Sequence, residues 1–275
     1  MKQRIARCMV IFLLGVDVVM SQELQLGPPQ DRAFTAELDA TTQHYVLMLP
    51  EPWDPGGEHH LLIALHGHGS DRWQYIRQER GECRGARDMA ARHGMIFVSP
   101  DYRGNSWMGP AAEADLVQII EDLRAEFTIG KVFLAGGSMG GTSVLSFTAL
   151  HPDLIAGVSA QNPVANLIGY AGYAPGVKAI EERYGGTAAE VPLEYKRRSA
   201  EYWPEVFTMP VAMTTGGRDT VVPPESALRL AKVLEVLQRQ VLVIHRPETG
   251  HETNYEDTCA ALEFVLETAL GAGGD

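Results

Sequence analysis

Residues 131–150 run from a short apolar segment, Lys131-Val132-Phe133-Leu134-Ala135, through Gly136-Gly137-Ser138-Met139-Gly140-Gly141 into Thr142-Ser143-Val144-Leu145-Ser146-Phe147-Thr148-Ala149-Leu150. The first segment suits a strand buried on both faces. The last reads as a helix. With only the glycine-rich stretch between them, the backbone must turn sharply and fold back close to itself, which glycine permits. A G-x-S-x-G turn of this kind lifts the serine hydroxyl above the end of a sheet and aims the next N–H into the same space. The residues leave two readings open. Ser138 is a nucleophile, or it only caps the helix that follows. The 28 glycines of the chain make a chance match possible.

The surrounding pattern extends this unit. Phe34–Leu38 and His44–Leu49 alternate apolar and polar residues, predicting an antiparallel pair at a sheet edge. From Leu61 onward, strands alternate with helices. Strands are predicted at Leu61–Leu65, Met95–Ser99, Val132–Ala135, Ile155–Ala160, Val211–Thr215 and Val241–His245. Helices are predicted at 82–93, 112–127, 224–238 and 255–270. Such alternation predicts an α/β architecture with a doubly wound, mostly parallel sheet. Residues 163–208, rich in Tyr, Gly, Pro and charge, interrupt the rhythm. They read as an insertion that either caps the site or packs on the sheet edge. The expected organisation is one domain over 22–275, with no internal repeat.

A serine hydroxyl becomes a useful nucleophile only when a base takes its proton and an acid orients that base. Asp219 follows the Val211–Thr215 strand, and His251 follows the Val241–His245 strand just after Gly250. Each is the residue type required, at a strand's C-terminal end, in the order Ser, Asp, His. Ser138, Asp219 and His251 are therefore the candidate triad. His245 competes for the role of base but lies at the strand end, where packing is expected. The developing oxyanion needs two N–H donors. Met139 N–H is one candidate. His68 N–H, in the His66-Gly67-His68-Gly69-Ser70 loop, is the other. The alternative, metal binding by these histidines, lacks carboxylate or cysteine partners. Trp73, Trp107 and Trp203 are candidate pocket residues, or else core. The Asp101–Asn105 stretch either touches substrate or fixes its loop.

Taken together, these segments resemble the catalytic domain of prolyl-oligopeptidase-like serine hydrolases, members of the α/β-hydrolase superfamily. The resemblance rests on Gly136–Gly141, Asp101-Tyr102-Arg103-Gly104, Arg198-Ser199-Ala200-Glu201-Tyr202-Trp203, Gly216–Pro223 and Gly250-His251-Glu252, and covers about residues 58–270. It implies a cofactor-free serine hydrolase. Stand-alone feruloyl and acetyl-xylan esterase-like enzymes belong to the same group. The chain departs from the peptidases in three ways. It leaves no length for a β-propeller, its His66–Gly69 loop looks like an esterase's, and no glutamate pair for a peptide amino terminus is evident. The resemblance thus favours a carboxylesterase acting on a small or polysaccharide-linked ester. A small aminopeptidase or acyl-peptide hydrolase is the alternative, and a non-catalytic binding protein on this scaffold a third reading.

Composition bounds the partners. The chain is 45% hydrophobic and 21% charged, enough for a full core. Its net charge of −12 argues against nucleic acid or anionic membrane surfaces, which demand basic patches. Lys2, Arg4 and Arg7 precede an apolar run, Cys8–Val16, too short to span a bilayer. This predicts a cleaved export signal over 1–21, with Asp17 an awkward member, and a secreted or periplasmic protein without a membrane span. Cys83 and Cys259 then remain. They form a disulfide, since the fold places their helices on one face of the sheet, or stay as separate buried thiols. No Cys/His cluster has zinc-ligand spacing.

Overall fold

A computed structural model describes residues 24–271. The export signal expected over 1–21 lies outside the described residues. Eight strands form one sheet: β1 Gln30–Thr35, β2 Thr42–Met48, β3 His59–Leu65, β4 Ile96–Pro100, β5 Ile129–Gly137, β6 Gly157–Gln161, β7 Val211–Gly216 and β8 Val241–Arg246. Their spatial order is β8-β7-β6-β5-β3-β4-β2-β1. From β4 through β8 every pairing is parallel, and β2 and β1 close one edge antiparallel. The order reverses at β3, β4 and β5, so the strand ends open a crevice where the chain changes direction.

The central strands read as unbroken apolar runs because both faces are covered. Leu61, Ile63 and Leu65 point into one core layer, Leu62 and Ala64 into the other. The first layer is closed by α2 (Pro110–Glu126), α3 (Met139–Leu150) and α5 (Glu225–Val236), through residues such as Leu116, Val144 and Leu230. The second is closed by α1 (Gly81–Arg92) and α6 (Tyr255–Gly271), through Met89 and Leu262. This is the α/β-hydrolase arrangement. Among the described residues no helix is long and apolar enough to cross a membrane.

One edge element is displaced from its predicted place. The first strand occupies Gln30–Thr35 rather than Phe34–Leu38. Its tight turn falls at residues 36–41, where Asp39 Oδ1 accepts from the Thr41 N–H and hydroxyl and Ala40 takes φ +57°. Charged residues join the strand because its edge position leaves them a solvent face. Arg32, for example, lies 5.9 Å from the Phe127 ring centre and pairs with Glu126 at 2.5 Å.

The 163–208 segment contains α4 (Ala174–Tyr184) and a short helix, Pro192–Arg197. Its apolar residues, including Leu167, Ile180, Tyr195 and Phe207, join the larger core layer. Arg198 pins it there. Its side chain is fully buried and pairs with Glu113 at 2.5 Å and Glu194 at 2.6 Å, and it donates to the Met108 carbonyl at 2.5 Å. Burial alone would raise Glu113. The His151 hydrogen bond and the Arg198 charge outweigh it and bring the carboxyl down to about 2.

Cys83 and Cys259 are both free thiols, so the expected disulfide is not formed. Their helices do share a face of the sheet, but they meet at a different point. A Cβ on Gly85 would lie 2.8 Å from Thr258 Cγ2 and 3.4 Å from Cys259 Sγ, so Gly85 is the residue that faces Cys259. Two positions earlier on a helix is a turn of roughly 200°. Cys83 accordingly points into the core, where burial pushes its thiol up to about 12.

Candidate active site

The turn predicted between strand and helix is present, and its sterics account for the glycines. A Cβ on Gly140 would lie 2.0 Å from the Leu65 carbonyl oxygen, one on Gly136 2.5 Å from Gly140 C, and one on Gly141 2.6 Å from the Gln161 carbonyl oxygen. Backbone therefore touches backbone at three places. Gly137 differs. Its nearest neighbours would be 3.7–3.8 Å away, ordinary contact for a side chain. Ser138 has φ 59° and ψ −119°, the values of the first central residue of a type II′ turn, which normally takes glycine. A serine there stores roughly 1–3 kcal/mol of strain. The Ser138 N–H donates to the Gln161 carbonyl at 2.8 Å, which helps hold it.

The Asp219 and His251 loops leave the ends of adjacent strands, β7 and β8. They lie so close that a Cβ on Gly216 would be 2.1 Å from the Gly250 carbonyl oxygen. Two further bonds stitch them together, Gly217 N–H to Arg246 C=O and Arg218 N–H to Thr249 C=O, each 2.8 Å. The Asp219 side chain is buried. Its Oδ1 accepts from the Val221 and Val222 N–H groups at 2.9 and 2.8 Å. Its Oδ2 meets His251 Nδ1 at 2.6 Å, and His251 Nε2 lies 2.9 Å from Ser138 Oγ. Asn162, just beyond β6, donates to the Glu252 carbonyl at 2.7 Å and steadies the histidine loop from the far side. His245 is exposed rather than packed, with Nδ1 2.9 Å from Thr215 Oγ1, and takes no part.

Met139 is the first residue of α3, so its N–H has no intrahelical acceptor. The His66–Ser70 loop lies beside the Ser138 turn: a Cβ on Gly140 would be 2.9 Å from the His66 carbonyl oxygen, and one on Gly67 3.8 Å from that of Gly137. Trp107 Nε1 donates to His68 Nδ1 at 3.2 Å, which requires a neutral His68 ring. Burial, helped by nearby His66, lowers the His68 pKa and favours that form.

The cleft holds roughly 370 Å³. One wall is aromatic. Trp107 is buried, its ring centre is 5.4 Å from that of Tyr170, and His68 meets Tyr173 edge-on at 5.3 Å. The rest of the lining includes the polar residues Gln74, Gln78, Arg80, Glu82 and Thr253. Glu82 is buried there, 2.9 Å from Arg80 Nη2 and hydrogen-bonded to the Thr253 hydroxyl. Of the three tryptophans expected at the pocket, only Trp107 lines it. Trp73 caps the short helix Gln74–Arg77 away from the cleft lining, with the Arg77 guanidinium carbon 3.8 Å from the Trp73 ring centre. Trp203 is tied to the Lys196 carbonyl at 3.0 Å, also away from the cleft. The Asp101–Asn105 stretch fixes loops rather than lining the cavity. Asp101 pairs with Arg72 at 2.8 Å. Tyr170 and Tyr173 went unassigned at the sequence level, although the tyrosine richness of 163–208 was a usable signal. Glu82 carried none. Among the described residues no group of three or more His, Cys, Asp or Glu could hold a metal.

Comparison with known proteins places the chain in a family. Residues 84–269 match the model of the prolyl oligopeptidase family. The chain belongs to that family, and it is a serine hydrolase. Over 103 residues it is 26% identical to feruloyl esterase C of Emericella nidulans, a match covering 36% of this chain and 38% of that one. The fold is shared with an acylaminoacyl peptidase of Pyrococcus horikoshii, at TM-score 0.67 and 16% identity over 87% of this chain and 40% of that one. It is shared with Est1E of Butyrivibrio proteoclasticus at TM-score 0.63 and 18% identity, over 86% of this chain and 99% of that one. The chain thus spans about two fifths of the length of the first two relatives.

Proposed function

We propose that the protein is a carboxylic-ester hydrolase that works through an acyl-enzyme on Ser138. The observation that carries this reading is the continuous relay from Asp219 Oδ2 to His251 at 2.6 Å and on to Ser138 Oγ at 2.9 Å. His251 Nε2 takes the hydroxyl proton as Oγ attacks the ester carbonyl. Asp219 holds the imidazole by Nδ1 and stabilises its charged form. The Met139 and His68 N–H groups receive the oxyanion. His251 then gives its proton to the leaving alkoxide, takes one from water for deacylation, and returns it to Ser138 Oγ. No step calls for a metal or an organic cofactor.

Likeness to feruloyl esterase C supports an ester substrate. The mixed aromatic and polar lining of the cleft fits an ester with one planar or apolar part and one hydroxyl-rich part, such as a small or polysaccharide-linked ester. Aromatic faces suit the first, and planar amide, carboxylate and guanidinium groups suit the second. The positive, apolar leader over 1–21 supports an exported enzyme. A second reading, hydrolysis of aminoacyl or acyl-peptide bonds, is favoured by Glu82, a buried carboxylate beside the nucleophile turn that suits an amine. The formed relay argues against a purely binding role.

Ser138→Ala should abolish turnover of p-nitrophenyl acetate while thermal melting stays near the parent's, and near-full activity would sink the mechanism. Comparing kcat/KM on feruloyl, acetyl and aminoacyl-anilide substrates separates the two readings. Faster anilide than ester cleavage would replace the first with the second.

A further inference from the structure

Each peptide plane of the oxyanion loop is tied down, the first and third by groups from outside the loop, and one N–H is left over. The peptide joining His66 and Gly67 is held at both ends. Its carbonyl accepts from the buried Tyr102 hydroxyl at 2.6 Å, and its N–H donates to Gln74 Oε1 at 2.9 Å. The next peptide, Gly67 to His68, is held by its carbonyl alone, 2.8 Å from His66 Nδ1 and 3.2 Å from the Ser70 N–H. The third, His68 to Gly69, is held by its N–H, which donates to Asn105 Oδ1 at 2.6 Å. Among the described residues the His68 N–H donates no hydrogen bond. A trans peptide points its N–H opposite to its carbonyl. Holding the Gly67 carbonyl back therefore drives the His68 N–H outward.

The loop needs this help. Gly69 has φ +79°, and a Cβ placed there would meet nothing within 4 Å. No packing against Gly69 itself keeps the turn from changing type. The Gly67-to-Ser70 bond with positive φ at Gly69 describes a type II turn. Rotating its central peptide to the type I form would swing the Gly69 N–H away from Asn105 and shift the neighbouring His68 N–H.

We propose that Gln74 and Asn105 are positioning residues of the oxyanion hole. Their amide oxygens occupy the N–H groups on either side of His68, so that His68 N–H alone faces the reacting carbonyl. They act through the backbone and need not touch the oxyanion. The inference rests on the serine-hydrolase mechanism proposed above for its effect on rate, but the clamp itself can be read without turnover.

The test uses the full chain carrying Asn105→Leu, Asn105→Asp and Gln74→Met. Amide hydrogen exchange, resolved to residues by NMR, should show Gly69 protected in the parent and exposed in N105L, and Gly67 likewise in Q74M. In p-nitrophenyl acetate hydrolysis, N105L and Q74M should lose about 10-fold or more in kcat with KM within twofold, since an oxyanion donor acts in the transition state. Affinity for a trifluoromethyl ketone, which mimics the tetrahedral adduct, should fall in parallel. N105D keeps an acceptor oxygen and should recover most of the loss. Unchanged Gly69 and Gly67 exchange in folded variants would overturn the clamp. Lost protection with kcat and ketone affinity both intact would overturn its role in the oxyanion hole. An N105D loss as large as that of N105L would also count against it. A parent that neither turns over nor is labelled at Ser138 by a fluorophosphonate would instead defeat the hydrolase reading, leaving the exchange result to decide the clamp.

Discussion

The two sides of the cleft are made rigid by opposite means. The Ser138 turn is held by sterics. Gly136, Gly140 and Gly141 bring backbone within van der Waals contact of backbone, and the hydrogen bond that helps them, Ser138 N–H to the Gln161 carbonyl, is itself between backbone groups. The His66–Ser70 loop is held by hydrogen bonds from Gln74, Tyr102, Asn105 and the His66 ring, around a glycine with open space where a side chain would go. Repulsion at short range is steep and nearly independent of solvent conditions. Hydrogen bonds are individually modest and respond to pH and to single-atom changes. The Ser138 side should therefore fail abruptly and rarely. The His66–Ser70 side should fail gradually and in more ways.

The largest expected effect breaks the steric side. Gly140→Ala forces a methyl to 2.0 Å from the Leu65 carbonyl oxygen and 2.9 Å from that of His66, so both sides of the cleft must move. A loss of about 4 kcal/mol or more is expected by urea unfolding, in the range of severe overpacking. Gly137→Ala, with no neighbour closer than 3.7 Å, should cost little more than ordinary backbone terms, and equal losses for the two would contradict the steric account.

Ser138→Gly and Ser138→Ala should both be inactive yet differ in stability. Glycine relieves the positive φ of 59°, while alanine keeps it. After the entropy cost of glycine, S138G should be the more stable by about 1 kcal/mol. An S138G variant less stable than S138A would remove strain from the picture.

On the hydrogen-bonded side, Tyr102→Phe leaves the His66 carbonyl without its 2.6 Å donor at constant packing. The expected cost is about 1 kcal/mol in urea. Activity should fall more in proportion than stability, because the loop and not the core loosens. A pure stability effect with unchanged kcat would point to packing.

The smallest effect concerns pH. Burial lowers both His66 and His68 below the ordinary 6.5. The folded protein therefore binds fewer protons than the unfolded chain as pH falls below that value. Stability is lost as pH drops from about 6.5 toward the lowered values, and the sign is unfavourable to folding in acid. A protonated His68 also cannot accept from Trp107 Nε1. Exchange protection across 66–70 should weaken between pH 7 and 5, while that across 136–141 should not. Equal weakening on both sides would dissolve the contrast.

The same contrast governs how much was legible from residues alone. Ser138, its glycines, Asp219 and His251 announced themselves because each obeys a local rule. The turn needs glycine, and acid and base follow strand ends in a set order. The central strands were readable as unbroken apolar runs, since burial on both faces leaves no polar positions. The edge strand was misplaced by about four residues. Its charged members use a solvent face, so the alternation that marks it is weak. Trp73 and Trp203 looked like Trp107 in composition and differ only in where the chain carries them.

What the amino-acid sequence determined by itself was the hydrolase scaffold and the strand-end positions from which Ser138, Asp219 and His251 come into hydrogen-bond contact. These depend on short-range sterics and on periodicity, which are written in neighbouring residues. Only the tertiary structure decided that Cys259 faces Gly85 and not Cys83, and that Tyr170 and Tyr173 join Trp107 in one wall. It alone brought Gln74 and Asn105, 31 positions apart in the chain, to the two sides of His68. Those outcomes turn on angles around helices and on contacts between distant segments, and no local rule records either.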